Sequence, residues 1–182
     1  MFKAMLRLSA IALAMTLSNQ ALAEGDRGFG ISAGLGLAQL GDEDDNLSFD
    51  GNTIAGSVDL EFRTGEHFAL GLGFLKTGNA EDTVNGADTE IDAAIFGFFG
   101  RIILPGTELG EPYLRFGGSL FGAGAEGGPE GLRSDFDGLY EVGGGYDFAL
   151  SERTDLRLQV QYFFNSDDET ALVATAGFAF NF

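Results

Sequence analysis

Leu172, Ala174, Ala176, Phe178, Phe180 and Phe182 occupy every second position of one stretch, and Val173, Thr175, Gly177, Ala179 and Asn181 fill the places between. Alternation with a period of two is the signature of a strand with one apolar face. Here that face is apolar without interruption and ends in three phenylalanines. Left as an open sheet edge it would template aggregation. A sheet closed on itself has no edge, and hydrocarbon accepts the phenylalanines. The stretch therefore favours a cylinder with a greasy outside.

The same alternation recurs along the chain and predicts eight strands in all. The first runs from Phe29 to Leu40, with Phe29, Ile31, Ala33, Leu35 and Leu37 on one face. The second, Thr53 to Thr64, sets Ile54, Val58, Leu60 and Phe62 against Ser57, Asp59, Glu61 and Arg63. The third is Phe68 to Thr77. In the fourth, Thr89 to Ile103, Ile91, Ala93 and Ile95 set one parity while Phe96 and Phe98 fall on the other. Either a bulge near Gly97 or a partly apolar interior accounts for that. The fifth follows Pro112, with Leu114, Phe116 and Leu120 opposite Tyr113, Arg115 and Ser119. The sixth sets Tyr140, Val142, Tyr146 and Phe148 against Glu141 and Asp147. In the seventh, Leu156, Leu158, Val160, Tyr162 and Phe164 alternate with Asp155, Arg157, Gln159, Gln161 and Phe163. Each segment is about ten residues, the length of a tilted strand crossing a bilayer. Short connections (Thr64–His67, Leu104–Glu111, Ser151–Thr154) alternate with longer ones (Gly41–Asn52, Gly78–Asp88, Ala123–Asp137; Asn165–Thr170 is intermediate). The expected fold is all-β: an eight-stranded antiparallel up-and-down transmembrane β-barrel, with short turns on one side of the membrane and long loops on the other.

Residues 1–23 read as an export leader. Lys3 and Arg7 are its positive region, Leu8–Leu17 its apolar run, and Ala21-Leu22-Ala23 its small-residue cleavage signal. That run is too short to span a bilayer. The mature chain is expected to be one barrel domain, residues 24–182. It has no cysteine, so no disulfide supports it. Setting aside Lys3 and Arg7 leaves 8 basic residues against 28 acidic, a formal charge of −20. This argues against nucleic acid and against docking on anionic headgroups through basic patches.

Taken together, these features resemble the small eight-stranded outer-membrane β-barrels, the family that includes the OmpA transmembrane domain and OmpX. The leader, Glu111-Pro112-Tyr113-Leu114, the Gly143–Phe148 strand leading through Ser151–Leu158, and Ala176–Phe182 carry the resemblance. It implies a location in the cell outer membrane, with the termini on the periplasmic side. It implies outer-membrane lipid and lipopolysaccharide as surroundings, and a barrel assembly machinery that reads Phe178, Phe180 and Phe182 as an insertion signal. Members include structural anchors, adhesins, narrow pores and a few lipid A-modifying enzymes. The enzymes use a histidine beside a serine near the outer leaflet; the only histidine here, His67, falls in a predicted periplasmic turn. No catalysis, no cofactor and no metal centre are expected, and the barrel is expected to be a monomer.

Two charged regions remain. Inward positions include Asp59, Glu61, Arg63, Arg115, Glu141, Asp147 and Arg157. An eight-stranded interior is just wide enough for side chains to fill, so a plug of carboxylate–guanidinium pairs is expected, because an unpaired buried charge is costly. Asp147 should lie opposite Arg157, and Glu61 should sit at the depth of Arg115. The long loops carry fifteen carboxylates against Arg133 alone, a field that concentrates cations. Among them Asp42, Asp44, Asp45 and Asp50 are weak cation-binding candidates. Leu47 stands where a calcium-binding EF-hand loop needs glycine, and no carboxylate occupies its twelfth position. The outward aromatics Phe29, Phe62, Phe68, Tyr146, Phe148, Phe178, Phe180 and Phe182 are expected to form an interfacial girdle. The reading is a structural or surface-interaction protein. The alternatives are a narrow cation-preferring pore, an adhesin, or a soluble lipocalin-like barrel, in which Arg157, Gln159 and Gln161 would point to water.

Overall fold

The computed structural model describes residues 28–44, 47–84, 87–126, 137–165 and 170–182; for residues 42–44, 47–50, 82–84, 87–89, 123–126 and 137 it describes the backbone alone. The expected leader, residues 1–23, lies outside the described residues. Nine strand segments follow one another: β1 (Phe29–Asp44), β2 (Leu47–Gly65), β3 (Phe68–Thr77), β4 (Ala80–Val84), β5 (Ala87–Ile103), β6 (Gly110–Glu126), β7 (Asp137–Ser151), β8 (Thr154–Phe164) and β9 (Thr170–Asn181). Every pairing is antiparallel between sequence neighbours, save two that close the ring: β1 with β9 and β3 with β5. β4 continues β3 past Gly78 and Asn79 and pairs with the upper part of β5. The result is a closed eight-stave barrel whose third stave is interrupted once. No described helix is long and apolar enough to cross a membrane.

Side-chain direction follows the alternation. Along β8, Val160 is 51% exposed on the outside, whereas Arg157 is 7% exposed within. The lipocalin-like arrangement requires the reverse and is excluded. The fifth segment settles the ambiguity of the fourth predicted strand. Ile91, Ala93, Ile95, Phe99, Arg101 and Ile103 all point inward while Phe96, Phe98 and Ile102 point outward. The register against β6 runs unbroken from Glu90 to Ile103. There is no bulge at Gly97; the interior is partly apolar.

Three predicted loops are corrected. The β1–β2 ladder continues to the pair Asp44 and Leu47, so Gly41–Asn52 is mostly strand. β4 and β5 pair as far as Val84 and Ala87, taking in most of Gly78–Asp88, and β6 reaches Glu126. The composition of these stretches no longer alternates, yet backbone hydrogen bonding continues to hold the ladder. The short connections fall as expected. The longest is set by Gly110, whose φ of 147° lies where an L side chain is strained, and by mutual backbone bonds between Thr107 and Gly110.

Aromatic pairs mark two levels on the outside. Near the short turns, Phe29 meets Phe182 (6.2 Å between centroids) and Tyr146 meets Phe148 (4.4 Å). Toward the other end, Phe164 meets Tyr140 (5.8 Å) and Tyr162 (5.6 Å), a second belt that the sequence reading did not single out. Phe148 and Tyr140 are eight residues apart on one strand, about 27 Å of strand at roughly 3.4 Å per residue. A tilt of about 40° reduces that to roughly 21 Å along the axis, close to the ~25 Å apolar band of membrane barrels.

Candidate functional site

The lumen has two layers. In the half nearer the short turns, inward residues of β2, β5, β6, β7 and β8 bring charges together. Arg101 Nη1 donates to Glu61 Oε2 and its Nη2 to Asp147 Oδ2 at 2.7 Å. Arg157 grips the same carboxylate from the neighbouring strand, Nε to Oδ1 at 2.8 Å and Nη2 to Oδ2 at 2.9 Å. Its Nη1 donates to Ser32 Oγ at 3.2 Å and lies 3.5 Å from Glu61. Deeper in, Arg115 donates through Nη1 to Asp59 Oδ2 at 2.8 Å and through Nε to Glu141 Oε1. Gln161 Nε2 also donates to Glu141 Oε1 (2.8 Å), and Gln159 Nε2 donates to Gln161 Oε1 (2.8 Å).

Aromatic faces position the guanidiniums. Arg101 lies 3.7 Å above the ring of Tyr113 and Arg157 lies 5.5 Å from it; Arg115 lies 3.6 Å above Phe99. Such contacts are attractive, the more so when desolvated. Tyr113 in turn donates its hydroxyl to Gln159 Oε1 at 2.9 Å. Room for this comes from glycine on the facing wall: a Cβ at Gly73 would stand 2.8 Å from both Arg115 Nη2 and Asp59 Oδ1.

Asp147 and Arg157 are direct cross-strand partners. Glu61 bonds Arg101 and approaches Arg157, while Arg115 takes Asp59 and Glu141 instead. Arg63 stands apart at the mouth, half-exposed, paired with Glu111 at 2.7 Å. Arg101, 1% exposed, is the member of the lumen ion-pair network that the sequence reading missed. It sits directly across the β5–β6 ladder from Arg115, two like charges side by side. Its Nε is, among the described residues, the one fully buried side-chain polar atom without a hydrogen-bond partner.

The other half of the lumen departs from the expected ion-paired interior. Ala38, Leu40, Ala55, Leu75, Ala80, Ile91, Ala93, Ile95, Leu139, Phe163, Ala171 and Val173 form one buried apolar cluster. A buried hydroxyl within it is satisfied: Thr77 Oγ1 accepts from the backbone N–H of Ala93 at 2.8 Å. Around its upper part the outer wall is polar. Gln39, Asn52, Lys76, Asn79, Glu81 and Glu90 are exposed there, Lys76 pairs with Asp92, and Asn79 Nδ2 donates to Glu90 Oε2 at 2.8 Å.

His67 is an exposed turn residue beside Glu66. The side chains of Asp42, Asp44, Asp45 and Asp50 lie outside the described residues. Among the described residues no three His, Cys, Asp or Glu side chains gather as a metal site.

A closed antiparallel cylinder with a lipid-compatible band between two aromatic belts and charges paired within is a membrane-inserted β-barrel. The chain belongs to the outer membrane protein β-barrel domain family, whose model matches residues 9–182. Comparison with curated proteins gave no match. Among solved structures the fold is similar to Neisserial surface protein A (TM-score 0.69, 14% identity, covering 87% of this chain and 100% of that one). It is also similar to Ail, the attachment invasion locus protein of Yersinia pestis (0.59, 14%, 87% and 100%), and to the outer membrane protein OprG from Pseudomonas aeruginosa (0.57, 13%, 87% and 98%). At these identities the likeness is one of fold.

Proposed function

We propose that this chain is a sealed outer-membrane barrel with a structural and surface-interaction role and no enzymatic activity. One observation carries the reading: an apolar layer is stacked on an ion-paired layer, so a hydrated ion meets no continuous polar path along the axis. Dehydrating an ion in an apolar constriction is costly. Planar-bilayer recording of the purified barrel tests it. No conductance steps are expected. Reproducible cation-selective steps, enlarged in Arg115→Ala or Arg157→Ala, would establish the pore instead.

The surroundings follow from this reading. The chain is exported, cleaved after Ala23 and inserted as a monomer among outer-membrane lipid and lipopolysaccharide, with Phe178, Phe180 and Phe182 presented to the barrel assembly machinery. A mature mass beginning at Glu24, and heat-modifiable migration from the outer-membrane fraction, are the expected results. The β1–β2 and β4–β5 hairpins, continuing as ladders past the apolar band, support a surface role: they hold an acidic surface clear of the bilayer. Loss of surface attachment on deleting residues 41–52 would make that role adhesive.

A further inference from the structure

A small cavity, with room for about one water molecule, lies where the two lumen layers meet. Ser57, Asp59, Arg115, Ser119 and Glu141 line its polar side and Phe163 its apolar side. Charge around it is not balanced. Arg101 and Arg157 are matched by Glu61 and Asp147, but Arg115 alone faces both Asp59 and Glu141. The surplus is one negative charge, and it belongs to the residues around the cavity.

The hydrogen bonds show what is left over. Arg115 occupies Asp59 Oδ2 and Glu141 Oε1, and Gln161 adds a second bond to that same glutamate oxygen. Asp59 Oδ1 and Glu141 Oε2 carry no described hydrogen bond. The hydroxyls of Ser57 and Ser119 carry none either, and Ser119 is more than nine-tenths buried. The cavity wall therefore offers carboxylate and hydroxyl oxygens with capacity to spare, all hard ligands.

We propose that this cavity between Asp59, Ser119 and Glu141 binds a single small monovalent metal cation of the sodium class. A water molecule would satisfy the hydroxyls and leave the charge. A divalent ion would overshoot by one positive charge beside Arg115. A monovalent ion satisfies the oxygens and brings the buried network to neutrality, removing the penalty of an uncompensated buried charge. Because the cavity lies between the apolar and the charged layer of the lumen, the ion becomes part of the barrel's interior.

The test uses the full mature chain refolded from urea into detergent micelles, at constant chloride, with sodium replaced stepwise by choline. Sodium should raise the urea midpoint saturably, and choline should not. Glu141→Gln, which removes the surplus charge, and Ser119→Ala, which removes one ligand, should each flatten the dependence; the serine variant decides the matter should the glutamine variant fail to fold. Equal midpoints in the two salts would overturn the proposal and leave a cavity filled by water. So would a sodium effect undiminished in Ser119→Ala. A crystal structure grown in sodium chloride reads the occupant directly. Oxygen contacts clearly shorter than the ~2.8 Å of hydrogen-bonded water support a cation, and contacts at that length refute it.

Discussion

The lower and upper halves of this barrel are built from the same staves and solve opposite problems. Nearer the short turns, the outside is leucine, valine and phenylalanine and the inside holds three arginines and four carboxylates. In the other half, the inside is alanine, leucine, isoleucine and valine; the lower part of its outer wall still shows Leu37, Ile54, Phe74, Phe96 and Leu172, and the upper part carries Lys76, Glu81 and Glu90. Only the upper part of the second half approaches the polarity of a soluble barrel. Apolar side chains thus cover the outside of the whole charged layer and of the lower part of the apolar one. Where lipid surrounds the wall, apolar side chains gain nothing by turning inward, so the interior can be charged provided every charge is paired. Where the outer wall turns polar, around Lys76, Glu81 and Glu90, burying apolar area inside is what stabilises it.

Substitutions separate the two halves. The largest effect is expected from Arg115→Ala, which leaves Asp59 and Glu141 buried without their cation. Breaking a buried pair in this way costs about 3–5 kcal/mol, to be read as a lower urea midpoint in lipid vesicles. Next is Val160→Arg on the lipid face, with an expected loss of about 2–4 kcal/mol if Val160 lies near the midplane. The same charge at exposed Asn79 should cost close to nothing, and a penalty at Asn79 matching that at Val160 would place lipid around both halves. Smaller again is Leu75→Met in the apolar layer, a volume-conserving change expected to cost less than about 1.5 kcal/mol. The smallest effect has the opposite sign. Glu81 and Glu90 are direct cross-strand partners, both exposed, so Glu81→Lys should stabilise by roughly 0.2–1 kcal/mol, in a manner that salt screens.

Much of this was legible from residues alone, for a physical reason. In β8 and β9 one face is apolar and the other small or polar at nearly every position, so direction could be read by parity. In β5 both faces are apolar over Ile95–Phe99, and parity alone could not choose between a bulge and an apolar interior. Arg101 disappeared in that ambiguity. It keeps the parity of Ile91, Ala93 and Ile95, and a guanidinium at the lipid face is costly; those two facts together assign it inward. The hairpin extensions were hidden differently. The stretch from Gly41 to Asn52 has turn-like composition, while the backbone ladder continues to the pair Asp44 and Leu47. The pairing of Asp147 with Arg157 was readable because a short turn fixes register. The partners of Arg115 were not, because they arrive from staves far apart in the sequence.

That last point bears on how the cylinder assembles. Arg101 and Arg115 stand shoulder to shoulder on one hairpin, and their acceptors come from β2 on one flank and β7 on the other. An isolated β5–β6 hairpin holds two mutually repelling cations. Adding β7 alone supplies Glu141 and Asp147 but leaves Asp59 and Glu61 absent. Asp59 and Glu61 arrive with β2, which reaches the hairpin through β3, so every guanidinium acquires its counterions only when β2, the hairpin and β7 curl around one lumen.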